Sequence, residues 1–120
     1  MSNRIHHSVD LPLEPVGAGK DTARQLLTEP MPGSLFHMRR FVMQPGGGIP
    51  RHTNEIEHQQ LVLGGEATIG LGEEVLKVKA GDVIHIPAGL PHWYRAEGEE
   101  PFEILCAVPN GPDQIRMVEE

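Results

Sequence analysis

Glycine and proline cut this chain into pieces that suit strands better than helices. Gly64-Gly65, Gly72-Glu73, Ala80-Gly81-Asp82, the loop Pro87-Ala88-Gly89-Leu90-Pro91 and an acidic turn at 98–101 separate short apolar runs. Turn signals spaced roughly 8–12 residues apart point to a sandwich or barrel. Fourteen Gly and eleven Pro are many for 120 residues, and they favour an all-β chain. That length buries one core. Strands are expected at 34–44, 57–63, 66–71, 75–78, 83–86, 92–96 and 102–108, within one domain covering 21–112. Residues 22–28 read as a strand or a helical turn. Residues 1–20 read as a mobile arm or edge strand, and 113–120 as a short helix or a loose tail.

A formal net charge of −7 without any cluster of Lys or Arg argues against nucleic acid and anionic lipid as partners. Cys106 is the single cysteine, so no intrachain disulfide forms and a cytoplasmic setting fits. No apolar run approaches the ~20 residues of a membrane span, and the N-terminus lacks the apolar core of a signal peptide. His6 and His7 read as tail residues rather than ligands.

Alternation assigns the faces. In 34–44, Phe36, Met38 and Val42 share one side with Arg40, and His37, Arg39, Phe41 and Met43 share the other. Arg40 must reach an anion or sit at a barrel mouth. Gln60 and Val62 share the inward side with His58, which turns Glu57 and Gln59 outward. Tyr94 falls on the His92 side, and Trp93 faces outward. Phe102, Ile104, Cys106 and Val108 form an apolar lumen face, where Cys106 acts as a small hydrophobe. His37 and His85 read as ordinary satisfied polar residues. The outward Leu61, Trp93 and Leu105 need cover from a second sheet or a second subunit.

Three histidines stand apart from the others. His52 and His58 are six residues apart and share a strand face if the intervening loop keeps phase. His92 follows the Pro-Ala-Gly-Leu-Pro loop, which could bring it to the same point. Converging neutral imidazoles are transition-metal donors suited to Fe, Mn, Ni, Co, Cu or Zn, whereas Mg and Ca prefer oxygen.

The two stretches resemble the paired motifs of the cupin superfamily. The first motif places a Gly five residues before His-x-His, then Glu, then Gly six residues on. Here Gly46, His52-Thr53-Asn54, His58 and Gly65 keep that spacing. The second places Gly five residues before Pro-x-Gly, then His after two residues and Asn after three more. Gly81, Pro87-Ala88-Gly89, His92 and Ala96 match it. Asn54 stands where the family has its second His. His58 replaces the Glu, as in a four-His subgroup of small single-domain cupins, and Ala96 replaces the final Asn.

The resemblance implies a double-stranded β-helix, or jelly-roll barrel, and a homodimer. It also implies one divalent transition metal per chain, Fe or Mn favoured, on His52, His58 and His92. Asn54 is left with three open roles: binding the metal, holding a metal-bound water, or turning away. Without an anionic ligand such a metal keeps its full charge and favours a chelating small-molecule anion. Gln60 and Tyr94 are placed to orient that ligand, and Ile104 and Cys106 line the same lumen. The expected function is a metal-dependent oxidoreductase of dioxygenase type on an anionic or enolisable substrate. A Lewis-acid isomerase or lyase, and a non-catalytic binding or sensing module, are the alternatives.

Overall fold

The computed structural model describes residues 5–29 and 31–119, and it is almost entirely β. A three-residue 3-10 turn, Ser8–Asp10, precedes ten strands. These are β1 (Glu14–Pro15), β2 (Lys20–Leu26), β3 (Phe36–Thr53), β4 (His58–Gly64), β5 (Glu66–Leu71), β6 (Glu74–Lys79), β7 (Val83–Ile86), β8 (His92–Glu97), β9 (Phe102–Pro109) and β10 (Arg116–Met117). No described helix is long and apolar enough to cross a membrane.

The strands form one curled antiparallel sheet in the order β6-β5-β8-β3-β9-β4-β7, with β2 and β10 also on β3 and β1 on β2. Residues 20–26 are a strand, which settles the strand-or-turn alternative. The N-terminal segment carries both the 3-10 turn and an edge strand, while residues 1–4 lie outside the described region.

Two expectations need correction. The first strand does not stop at residue 44. It runs for 18 residues through Pro45-Gly46-Gly47-Gly48 to Thr53, pairing with β9 over its first half and β8 over its second. One long strand therefore joins what would otherwise be two sheets. The glycines permit this because Gly46 has φ 82°, and a Cβ on Gly48 would collide with the Tyr94 carbonyl. The tail is not a helix. Arg116 and Met117 pair with Thr53 and His52, closing the end of β3.

Burial follows the expected alternation. On β9, Phe102, Ile104, Cys106 and Val108 are all buried, and His58, Gln60 and Val62 on β4 face the same core. Fully burying a side chain such as Phe102 or Ile104 contributes roughly 1.5–3 kcal/mol, so this inward face is the principal source of stability. Outside it, Trp93 packs over Gly70, where any Cβ would meet the indole. Arg40 finds its anion in Glu103 and also donates to Gln25 Oε1 at 3.2 Å.

Candidate metal centre

His52 and His92 are direct cross-strand partners on β3 and β8. A register shift between Ile49 and His52 turns His52 inward. His58 opens β4, opposite Ile86. The expectation that His52 and His58 share one strand face is therefore replaced by convergence from two strands. The ring centroids of His52 and His92 lie 4.2 Å apart, and those of His58 and His92 lie 6.0 Å apart. All three histidines are buried, His92 to 1% exposure.

Two of these rings are oriented by backbone. His52 Nδ1 meets the Pro50 carbonyl at 2.8 Å, and His92 Nδ1 meets the Leu90 carbonyl at 2.8 Å. Each Nδ1 is thus the protonated nitrogen, leaving Nε2 with a free lone pair. The Nε2 atoms of His58 and His92 are buried and have no hydrogen-bond partner. Burial holds the rings neutral. It lowers His58 to about 3, with the Arg39 charge adding to the effect. It lowers His92 to about 4 against a raising contribution from the Leu90 carbonyl, and His52 is also lowered, chiefly by burial.

Asn54, in the loop after β3, is fixed as well. Its Nδ2 donates to Asp113 Oδ2 at 2.9 Å, while the Glu55 amide donates to Asp113 Oδ1 at 2.9 Å. An ionised carboxylate only accepts hydrogen bonds, so the amide nitrogen must face Asp113. The opposite atom, Asn54 Oδ1, is buried without a partner. Asp113 was hidden in the sequence: it belongs to a tail with no motif, 59 residues from Asn54. Only the pairing of β10 with β3 brings it there.

The unpartnered Nε2 and Oδ1 atoms fit a divalent transition metal by chemistry. The arrangement is not yet a closed site, since no group of three His, Cys, Asp or Glu among the described residues stands in metal-holding geometry. The His52 and His92 rings lean on each other at 55°, and the fourth donor is an amide.

Around them lies a pocket with about 510 Å³ of atom-free space, its mouth included. Gln60 Nε2 donates to the Tyr94 hydroxyl at 2.8 Å and lies 3.7 Å from Cys106 Sγ. Tyr94 also sets its ring edge-on to His92 at 5.8 Å. Burial pushes the Tyr94 phenol well above its ordinary value, so it stays protonated and acts as a donor. Burial likewise raises the Cys106 thiol, in keeping with a core role. Ile104 lines the pocket, while Cys106 lies behind Gln60. The remaining histidines are engaged elsewhere: His37 with Asn110 at 2.6 Å, His85 with Glu57 at 3.0 Å, His6 with the Leu27 carbonyl at 2.7 Å, and His7, whose Nδ1 accepts from the Val9 amide at 3.1 Å.

A cupin-domain family model matches residues 39–108, which include most of β3 with its glycine run, β4 to β8 and nearly all of β9, and so all three histidines. The chain belongs to the cupin family. The cupin likeness extends to solved structures. The polyketide cyclase RemF from Streptomyces resistomycificus superposes with a TM-score of 0.86 at 28% identity, covering 100% of this chain and 87% of that one. A predicted oxalate decarboxylase from Thermotoga maritima superposes at 0.78 with 20% identity, covering 88% and 97%, and it shows the shared fold alone. Among curated sequences, the xanthan biosynthesis protein XanB of Xanthomonas campestris is 31% identical over 75 residues, or 61% of this chain. The chain spans only 16% of that relative's length.

Proposed function

We propose that this cupin is a metal-dependent enzyme acting on a small enolisable anion, with His52, His58, His92 and Asn54 as the metal donors. The observation that carries the reading is the set of buried, partnerless donor atoms, His58 Nε2, His92 Nε2 and Asn54 Oδ1, beside one pocket. A divalent transition metal held there would supply Lewis-acid activation of a chelating oxyanion. The chain's own residues do the rest. Tyr94, steadied by Gln60, donates a hydrogen bond to developing negative charge. Ile49, Phe41, Met43 and Ile104 exclude water around it. The neutral donor set and the likeness to a polyketide cyclase both favour chemistry through an enolate, the substrate proton passing to water in the pocket because no Asp or Glu lines it.

One observation supports a dioxygenase-type reading as the second choice. The pocket lining contains no Asp or Glu to serve as a general base. A non-catalytic sensing module stands third, with the same pocket and no turnover. We further propose a homodimer that covers the outward apolar row Val83–Leu61–Leu105 across β7, β4 and β9.

Deuterium exchange into the methyl group of pyruvate, followed by NMR with the Fe-, Mn- or Zn-loaded protein, tests enolisation directly. The expected result is metal-dependent exchange that disappears in His52→Ala. Oxygen uptake with β-dicarbonyls or catechols in place of exchange would move the assignment to the dioxygenase. Absence of both activities with every metal would contradict an enzyme reading.

A further inference from the structure

Arg39 is a charged side chain of the pocket that the metal reading leaves without work. It lies on the lumen side of β3, cross-strand from the buried Cys106 and alternating with Phe41 and Met43. Its guanidinium sits over the Phe41 ring, 5.3 Å from the centroid, and its Nε is buried with no hydrogen-bond partner. Its neighbour Arg40, on the opposite face, pairs with Glu103. Arg39 has no such partner: the ion pairs among the described residues are Arg40–Glu103, His85–Glu57 and Arg95–Glu97.

The charged side chains that line the pocket are all of one sign, and the Asp113 carboxylate, bonded to Asn54 and the Glu55 amide, stays out of the lining. Arg39 and Arg24 line it, and no carboxylate does, in a chain whose overall charge is −7. Partly desolvating a cation without a partner is unfavourable, and low-dielectric walls concentrate its field on whatever enters. Gln60 Oε1 is also partnerless, and the Tyr94 hydroxyl is nearby, so the same wall offers neutral polar groups beside the cation.

We propose that Arg39 is an anion subsite, and that the pocket takes a small molecule carrying a chelating oxygen pair at the histidine end and a separate carboxylate at the Arg39 end. The first contact rests on the metal reading above; the second does not. A planar guanidinium matches a carboxylate with paired N–H donors, so Lys is an imperfect substitute.

The test compares acetylpyruvate, a β-diketone with a carboxylate, and acetylacetone, the neutral β-diketone. Calorimetry on metal-loaded wild type, Arg39→Gln and Arg39→Lys reads the preference between them. Wild type is expected to bind acetylpyruvate at least about tenfold more tightly. Arg39→Gln should lose that preference while keeping its affinity for acetylacetone, and Arg39→Lys should keep part of it. Equal preference in wild type and Arg39→Gln would overturn the subsite.

NMR of chelator-treated wild type separates the two readings and needs no variant to fold. A saturable shift of the Arg39 Nε–H resonance with acetylpyruvate and not acetylacetone supports the subsite. That holds even if the metal-loaded protein binds neither diketone, a result that would sink only the metal reading. No shift and no preference would dispose of the Arg39 proposal.

Discussion

At the scale of single residues, the site is built from neutral groups under electrostatic constraint. The sign of its pH response follows. His58 and His92 have folded values of about 3 and about 4, below the unfolded value of 6.5. Between those limits the unfolded chain binds more protons, so stability is present above about 6.5 and is lost as pH falls through the window. For His92 alone the loss is on the order of 3 kcal/mol, and the coupled rings do not simply add. Urea unfolding of chelator-treated protein at pH 7, 5.5 and 4 should show the decline. A His58→Gln/His92→Gln double variant should flatten it, whereas parallel curves for the two proteins would contradict the assignment. Asp113 carries a second residue-scale prediction. Through its bond to Asn54 Nδ2 it aims the Oδ1 atom, so Asp113→Ala should weaken metal affinity roughly 10-fold or more without unfolding the chain. Unchanged affinity by competition with a chelating dye would remove Asn54 from the donor set.

At the scale of elements, β3 organises the protein. It carries the Arg39 face on its first half and His52 on its second, and its glycine run lets β8 approach closely enough to bring Tyr94 and His92 alongside. Gly48→Ala would combine a positive φ with a collision at the Tyr94 carbonyl. It should cost on the order of 3 kcal/mol, read as a lower denaturation midpoint, and should weaken metal binding as well. A stable variant with loosened metal would place the strain at the site alone; a variant equal to wild type in both would refute the close-approach argument. The short strands, their turns and the inward face of β9 were legible because period-two alternation and turn chemistry are local. The continuation of β3 was not: Pro45 and three glycines carry turn signals, and the strand is carried across them only by pairing on either side, Met43 with β9 and Gly48 with β8 and β2. Asp113 was invisible for the same reason, since its role depends on β10 docking beside His52. The histidine trio was legible from spacing, but its approach from three strands and the carbonyls that orient two of its rings required the fold.

At the scale of the whole molecule, a single curled sheet places His52, His58, His92 and Gln60 on its inner face and leaves an apolar row outside. Leu61 is 39% exposed and Val83 78%, directly paired across β4 and β7. If a second copy covers that row, sedimentation should give a dimer, and Leu61→Lys with Val83→Lys should give a monomer that still binds metal. A wild-type monomer at micromolar concentration would exclude this interface. Family membership rests on the cupin-domain match over residues 39–108. The chemistry rests instead on particular atoms, because one fold hosts many reactions. The central claim, that His52, His58 and His92 hold a transition metal, is tested most directly by metal analysis of protein purified without added metal or chelator, in wild type and His52→Ala. The account predicts about one Fe, Mn or Zn per chain, lost in the variant. Metal-free wild type that also fails to take up these ions on reconstitution, or equal metal in both proteins, would contradict it.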